Sequence, residues 1–184
     1  IYYGEKSATY ALVKTDVKEF DYPMGDSNAR SVYAGNGGVP LNSFFRRLMY
    51  AFKFQDSEII FTSSLSPESR IMYRRNVRES VREIAPFLLF DDDIYPVIHE
   101  GRILWVQDAY TASGSYPYSR PLQGLNGALS KYHGINYIRN SVKITVDAYD
   151  GKMNFYVTDE KDPLIKNWMR IFPTLFKPAS SVPQ

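Results

Sequence analysis

The side chains best suited to chemistry in this chain of 184 residues fall between positions 70 and 108. Arg70, Arg74, Arg78 and Arg82 recur at every fourth position, with Arg75 beside them. On a helix of 3.6 residues per turn such a series drifts by about 40° per step and lays down a basic flank. Guanidinium groups in that pattern suit an anion site for phosphate or carboxylate, or a solvated face paired with Glu79 and Glu83. Asp91, Asp92 and Asp93 follow. Adjacent carboxylates can ligate calcium or magnesium, meet the arginine series, or simply form a solvated turn. His99 next to Glu100, with Asp108 on the next arm of a hairpin, has the parts of a histidine base oriented by a carboxylate. The same carboxylates, Asp91 to Asp93, Glu100 and Asp108, are the acid and base candidates should the chain be an enzyme that uses paired carboxylates.

Composition removes several classes. There is no cysteine, so disulfides, thiolate catalysis, iron–sulfur clusters and cysteine zinc sites are excluded. His99 and His133 are the only histidines, too few for a three-histidine metal centre. A net charge of +2 gives no steer toward nucleic acid. No Gly-x-Ser-x-Gly, His-Glu-x-x-His or Walker pattern occurs, and the Gly35-Asn36-Gly37-Gly38-Val39-Pro40 cluster lacks the spacing of a phosphate cradle. No residue pattern names a cofactor. No apolar run approaches the roughly 20 residues of a membrane span.

Elements that would hold these groups are legible in the periodicity. Leu41, Phe44, Phe45, Leu48, Met49 and Phe52 fit one apolar face of a helix over 42–54, predicted to point inward with Arg46, Arg47 and Lys53 outside it. A membrane-surface helix is the alternative for that segment. A strand is expected at Tyr10–Lys14, turns around Pro23 to Asn28, and a strand at Glu58–Thr62. Ser66-Pro67-Glu68 reads as a cap opening a helix over 67–85, buried through Tyr73, Val77, Val81 and Ile84 and limited by Pro86. Two hairpins follow, one turning at Glu100-Gly101 and one at Asp150-Gly151. Between them 111–134 reads as a long surface loop, and Asp162-Pro163 opens a last helix over 163–172 before an extended tail, 173–184. The predicted fold is one α+β domain over 1–184, a mainly antiparallel sheet built from hairpins with about three helices on one face.

The segments Glu19-Phe20-Asp21-Tyr22-Pro23, Gly37-Gly38-Val39-Pro40-Leu41, Pro67-Glu68-Ser69-Arg70, Tyr73-Arg74-Arg75-Asn76, Asp108-Ala109-Tyr110-Thr111 and Tyr137-Ile138-Arg139-Asn140-Ser141-Val142-Lys143 together resemble uncharacterised protein family 0182. Val146-Asp147-Ala148-Tyr149-Asp150-Gly151 and Ile171-Phe172-Pro173 match as well. The resemblance implies a large bacterial multi-pass membrane protein with a long extracytoplasmic region, of which this chain is a piece. The start at Ile1-Tyr2-Tyr3, without methionine or leader, agrees with that expectation. It implies an address and no reaction. The expected function is a noncatalytic extracytoplasmic binding or scaffolding module, with an envelope-directed enzyme as alternative. Expected partners are the rest of its own chain, envelope lipid or polymer, or another membrane protein. An exposed apolar patch beyond a few hundred Å² would mark a face severed from the rest of the chain.

Overall fold

The computed structural model describes residues 1–7, 9–25, 27–123 and 132–183. Its backbone is organised by the two hairpins. Strands β6 (Leu89–His99) and β7 (Arg102–Ser113) meet at Glu100 and Gly101, whose φ angles of 49° and 74° are those of a two-residue primed turn. Strands β8 (Tyr137–Asp147) and β9 (Met153–Val157) form the second, and β10 (Phe176–Pro178) adds to β9 in parallel. The resulting five-stranded sheet has the order β10-β9-β8-β7-β6, with every other pair antiparallel. On β8 the alternation of Val142, Ile144 and Val146 turns three β-branched side chains to one buried face.

A smaller sheet of β1 (Ala11–Val13), β5 (Arg70–Met72) and β4 (Val39–Pro40) lies in the order β1-β5-β4, and β2 (Glu19–Met24) pairs with β3 (Ser27–Ser31) as a ribbon. The helices are α1 (Phe44–Phe54), α2 (Glu58–Phe61), α3 (Val77–Ile84) and α4 (Pro163–Ile171). Val77 and Val81 of α3 and Ile165 of α4 join Val142, Ile144, Val146, Phe155 and Val157 of the large sheet in the main core. A second cluster gathers Leu41, Ala51, Ile59, Leu65 and Ile71 beneath α1 and α2. The fold is α+β, with mostly antiparallel sheets and four α-helices among the described residues. None of those helices is long and apolar enough to cross a membrane.

Four expectations are corrected. The helix over 67–85 exists only as α3, opened by Asn76, whose side chain accepts from the Glu79 amide. The upstream cap signal fails because both Ser66 and Ser69 hydroxyls donate to the Lys14 carbonyl, and because Ile71 and Met72 are fully buried as a strand pairing on both sides. Of the stripe expected there, Val77 and Val81 are buried and Ile84 is 46% exposed. Glu58–Phe61 is a helical turn, its start held by the Asp56 carboxylate on the Glu58 amide. Of the turn segment around Pro23 to Asn28, Pro23 and Met24 belong to β2 and Ser27 and Asn28 to β3, paired across the ribbon. Within the expected 111–134 loop, β7 extends through Ser113, and residues 124–131 lie outside the described residues.

The two sheets are keyed together at the Asp150-Gly151 turn. The Tyr33 hydroxyl donates to Asp150 at 2.5 Å and accepts from the Gly37 amide at 2.7 Å, while Arg102 closes on Asp150 at 2.7 Å. Burial and the bond to Asp150 push the Tyr33 hydroxyl well above its ordinary pKa. A Cβ on Gly37 would come within 2.7 Å of the Asp150 carbonyl, so glycine there is a packing requirement. The glycine cluster of the sequence serves this junction.

Candidate functional site

The arginine series does not form one flank. Arg70 sits on β5 and donates to the carbonyls of Asn36, Gly37 and Gly38 at 2.7–2.9 Å, clamping the glycine loop. Arg74 occupies a left-handed backbone position, φ 53°, and pairs with Glu83 at 2.8 Å. Arg75 donates to the carbonyls of Tyr2 and Thr9. Arg78 and Arg82 remain neighbours on α3, with Arg78 on Glu5 at 2.9 Å and both near Asp92, at 3.8 and 3.6 Å. Each of the five arginines thus has a carbonyl or carboxylate of this chain as a partner.

Of the three aspartates, Asp92 faces the arginines, while Asp91 accepts from the Tyr110 hydroxyl at 3.0 Å and from the Asp93 amide. Burial and that bond push Tyr110 up to about 12. No group of three His, Asp or Glu side chains fit to hold a metal occurs among the described residues. His99 lies 4.0 Å from Glu100 and stands opposite Arg102 in the register. Asp108 is six residues farther along β7, about 20 Å at the rise of a strand, and it pairs with Lys143 at 2.6 Å. Burial pulls the Lys143 ammonium down, and the hydrogen bond and charge of Asp108 together with Tyr95 raise it above its ordinary value. The hairpin that was to join histidine and carboxylate holds them apart.

A different feature stands out on α1. Ser43 caps it by accepting from the Arg46 amide, and Gln55 ends it in the left-handed conformation at φ 53°. Ala51 is buried, and Tyr50 and Phe54 pack with Tyr10 and Tyr73 at ring separations of 4.8–6.2 Å. Of the stripe expected to point inward, Leu41 is fully buried ahead of the helix, but the five residues within α1 face solvent: Phe44 and Phe45 are each 68% exposed, Leu48 42%, Met49 53% and Phe52 83%. Phe61, on the adjoining α2, is 81% exposed. The helix is apolar on two sides, and the side with the cleaner periodicity is the uncovered one. Five large apolar side chains thus share one exposed helix face.

The family model for the uncharacterised protein family UPF0182 matches residues 1–184. The chain belongs to that family. It is similar to the UPF0182 protein of Sulfurovum sp. (strain NBC37-1), 52% identical over 189 residues, covering all of this chain and 20% of the relative. The UPF0182 proteins of Desulforamulus reducens and Synechococcus sp. (strain JA-3-3Ab) are 49% and 46% identical over the whole chain, which covers 19% and 21% of them. The chain thus spans about a fifth of the length of these curated relatives. No solved structure matches it.

Periodicity located the α1 stripe and assigned it the wrong side. The available signal was on the same helix: Ala51, Tyr50 and Phe54, off the stripe, leave little polar surface to point outward. The tyrosines act mostly as packing. Tyr2, Tyr33 and Tyr149 form a cluster with ring separations of 4.8–5.4 Å, and Tyr116 stacks on Tyr137 at 4.4 Å.

Proposed function

We propose that residues 1–184 are a noncatalytic scaffolding module of a larger protein, held at the extracytoplasmic side of the cell membrane, and that they dock through the outer face of α1 against the remainder of their own chain. The exposed Phe44, Phe45, Leu48, Met49 and Phe52 support this reading most directly. Burying such side chains gains roughly 25 cal/mol per Å² of apolar surface removed from water, so a face of this kind is costly to leave open. The family resemblance supports the membrane address.

The absence of cysteine from these residues gives a clean test. Leu48→Cys and Phe52→Cys are introduced singly, with Lys161→Cys as an exposed control, in the isolated 1–184 chain and in the full-length protein. Peptide mass spectrometry follows labelling by a membrane-impermeant maleimide. Residues 48 and 52 are expected to label in the isolated chain and to be protected in the full-length protein, with position 161 labelled in both. Labelling of position 161 from outside intact cells tests the address. Equal labelling of 48 and 52 in both forms would end the docking reading.

A further inference from the structure

From Leu41 to Gln55 the chain carries Arg46, Arg47 and Lys53 and no Asp or Glu. Among the described residues none of the three has a carboxylate partner. Arg46 reaches the Pro40 carbonyl and the Asn42 side chain, Arg47 the Leu41 carbonyl, and the Lys53 ammonium lies 4.5 Å from the centre of the Tyr73 ring. Arg74, Arg78 and Arg82 differ, each standing on a carboxylate of this same chain. At 100° per residue Lys53 and Arg46 fall on the same long border of the apolar stripe, two turns apart, with Arg47 near the other.

We infer that α1 docks into an apolar groove bordered by Asp or Glu side chains, and that this groove is contributed by the part of the full-length chain outside residues 1–184. The inference rests on the docking reading above and names the chemistry of its counter-surface. Covering the stripe brings the border cations into contact with whatever covers it, and a cation desolvated without an opposite charge is strongly penalised. Carboxylates on the groove rim remove that penalty and fix the register of the helix. The occupant has an ample source, because the chain covers only 20% of its relative from Sulfurovum. An anionic bilayer offers the same sign of charge, but exposed Glu58 accompanies Phe61 on the adjoining α2 and opposes such a surface. A protein groove can place its charges around Glu58; a lipid surface cannot.

Zero-length cross-linking of the full-length protein reads this directly, since a carbodiimide activates a carboxylate as an O-acylisourea, which an amine held in salt-bridge contact attacks to form an amide while the reagent leaves as its urea. Lys53 is expected to join an Asp or Glu outside residues 1–184, in native membranes and after detergent extraction, and the product is expected to vanish in Lys53→Arg. The isolated 1–184 chain supplies the background of internal links. With Leu48→Cys protected and no Lys53 link to an outside carboxylate, the acidic rim is overturned while docking stands. A link only to residues 1–184 of a second copy overturns the choice of occupant. Protection of the Leu48→Cys thiol that disappears in detergent assigns the face to lipid and overturns the groove, and free labelling of that thiol throughout overturns docking itself.

Discussion

Helices α1 and α3 are both strongly amphipathic, and they use that property in opposite ways. On α3 Val77 and Val81 are buried to within 1% of complete coverage, and on the polar side Arg78, Arg82 and Glu83 meet Glu5, Asp92 and Arg74. On α1 the apolar stripe is open, and the cations beside it have no carboxylate of this chain to meet. The difference lies in where the partner sits. The core face of α3 shares its buried cluster with β8 and β9 within these residues. The second cluster beneath α1 covers only the side that bears Ala51.

The largest expected effect makes that contrast quantitative by placing one substitution on both helices. Val81→Gln buries an amide with no partner and is expected to cost about 3 kcal/mol or more in denaturant unfolding of the isolated chain. Leu48→Gln is expected to change the same measurement by no more than about 0.5 kcal/mol, as surface changes do. Comparable losses at the two positions would mean that the α1 stripe is buried after all, and the comparison would collapse.

How far the sequence could be read follows from the same contrast. The β6–β7 and β8–β9 hairpins were legible because period-two alternation and glycine turns are local signals with one outcome. So was α4, since Asp162 caps it ahead of Pro163 as read. The 67–76 segment was misread because its apparent cap competes with long-range pairing: Ile71 is opposite Leu12 on one side and Val39 on the other. The separation of His99 from Asp108 was legible too, because a two-residue turn at Glu100-Gly101 sets His99 opposite Arg102 and carries Asp108 six residues away. The α1 stripe was found as a pattern, but periodicity states only that a face wants burial, not whether its cover lies nearby in the chain.

Within the buried half of the molecule, the junction of the two sheets should be the next most sensitive point. Gly37→Ala places a methyl group against the Asp150 carbonyl and the Tyr33 hydroxyl and is expected to cost about 1–3 kcal/mol by thermal or denaturant unfolding. An unchanged midpoint would show that the glycine loop yields, and that the keying of the sheets is looser than its hydrogen bonds suggest.

Asp162 joins the same buried half and adds pH dependence. Burial raises its pKa, but hydrogen bonds from Ser141, Thr111, Tyr137 and the Leu164 amide outweigh that and hold it below the ordinary carboxylate value. A carboxyl depressed on folding contributes stability that is complete above its unfolded pKa, near 4, and is lost as pH falls through the folded value. Asp162→Asn is expected to cost about 1–2 kcal/mol at neutral pH and to flatten the acid limb of the stability profile. The open half should be indifferent here, so Leu48→Gln should leave the limb unchanged. An acid limb identical in wild type and Asp162→Asn would place the linkage elsewhere, with Asp150, also held low, as the next group to test.

The smallest effect sharpens the comparison most, because it is a predicted null with a matched positive. Arg78→Glu brings like charge against Glu5 and Asp92, and in the isolated chain it should lower stability measurably. Lys53→Glu meets no carboxylate partner within these residues, and the cation it removes rests only on aromatic rings, so it should shift stability by about 0.5 kcal/mol at most. The order should invert when the readout is docking. Full-length protein carrying Lys53→Glu should show increased labelling of a cysteine at position 48, while Arg78→Glu should leave that labelling as it was. An α1 cation that mattered in isolation and not in the whole protein would reverse the assignment: the charge would belong to the fold, as on α3, and the open face would need a partner recognised by its apolar side chains alone.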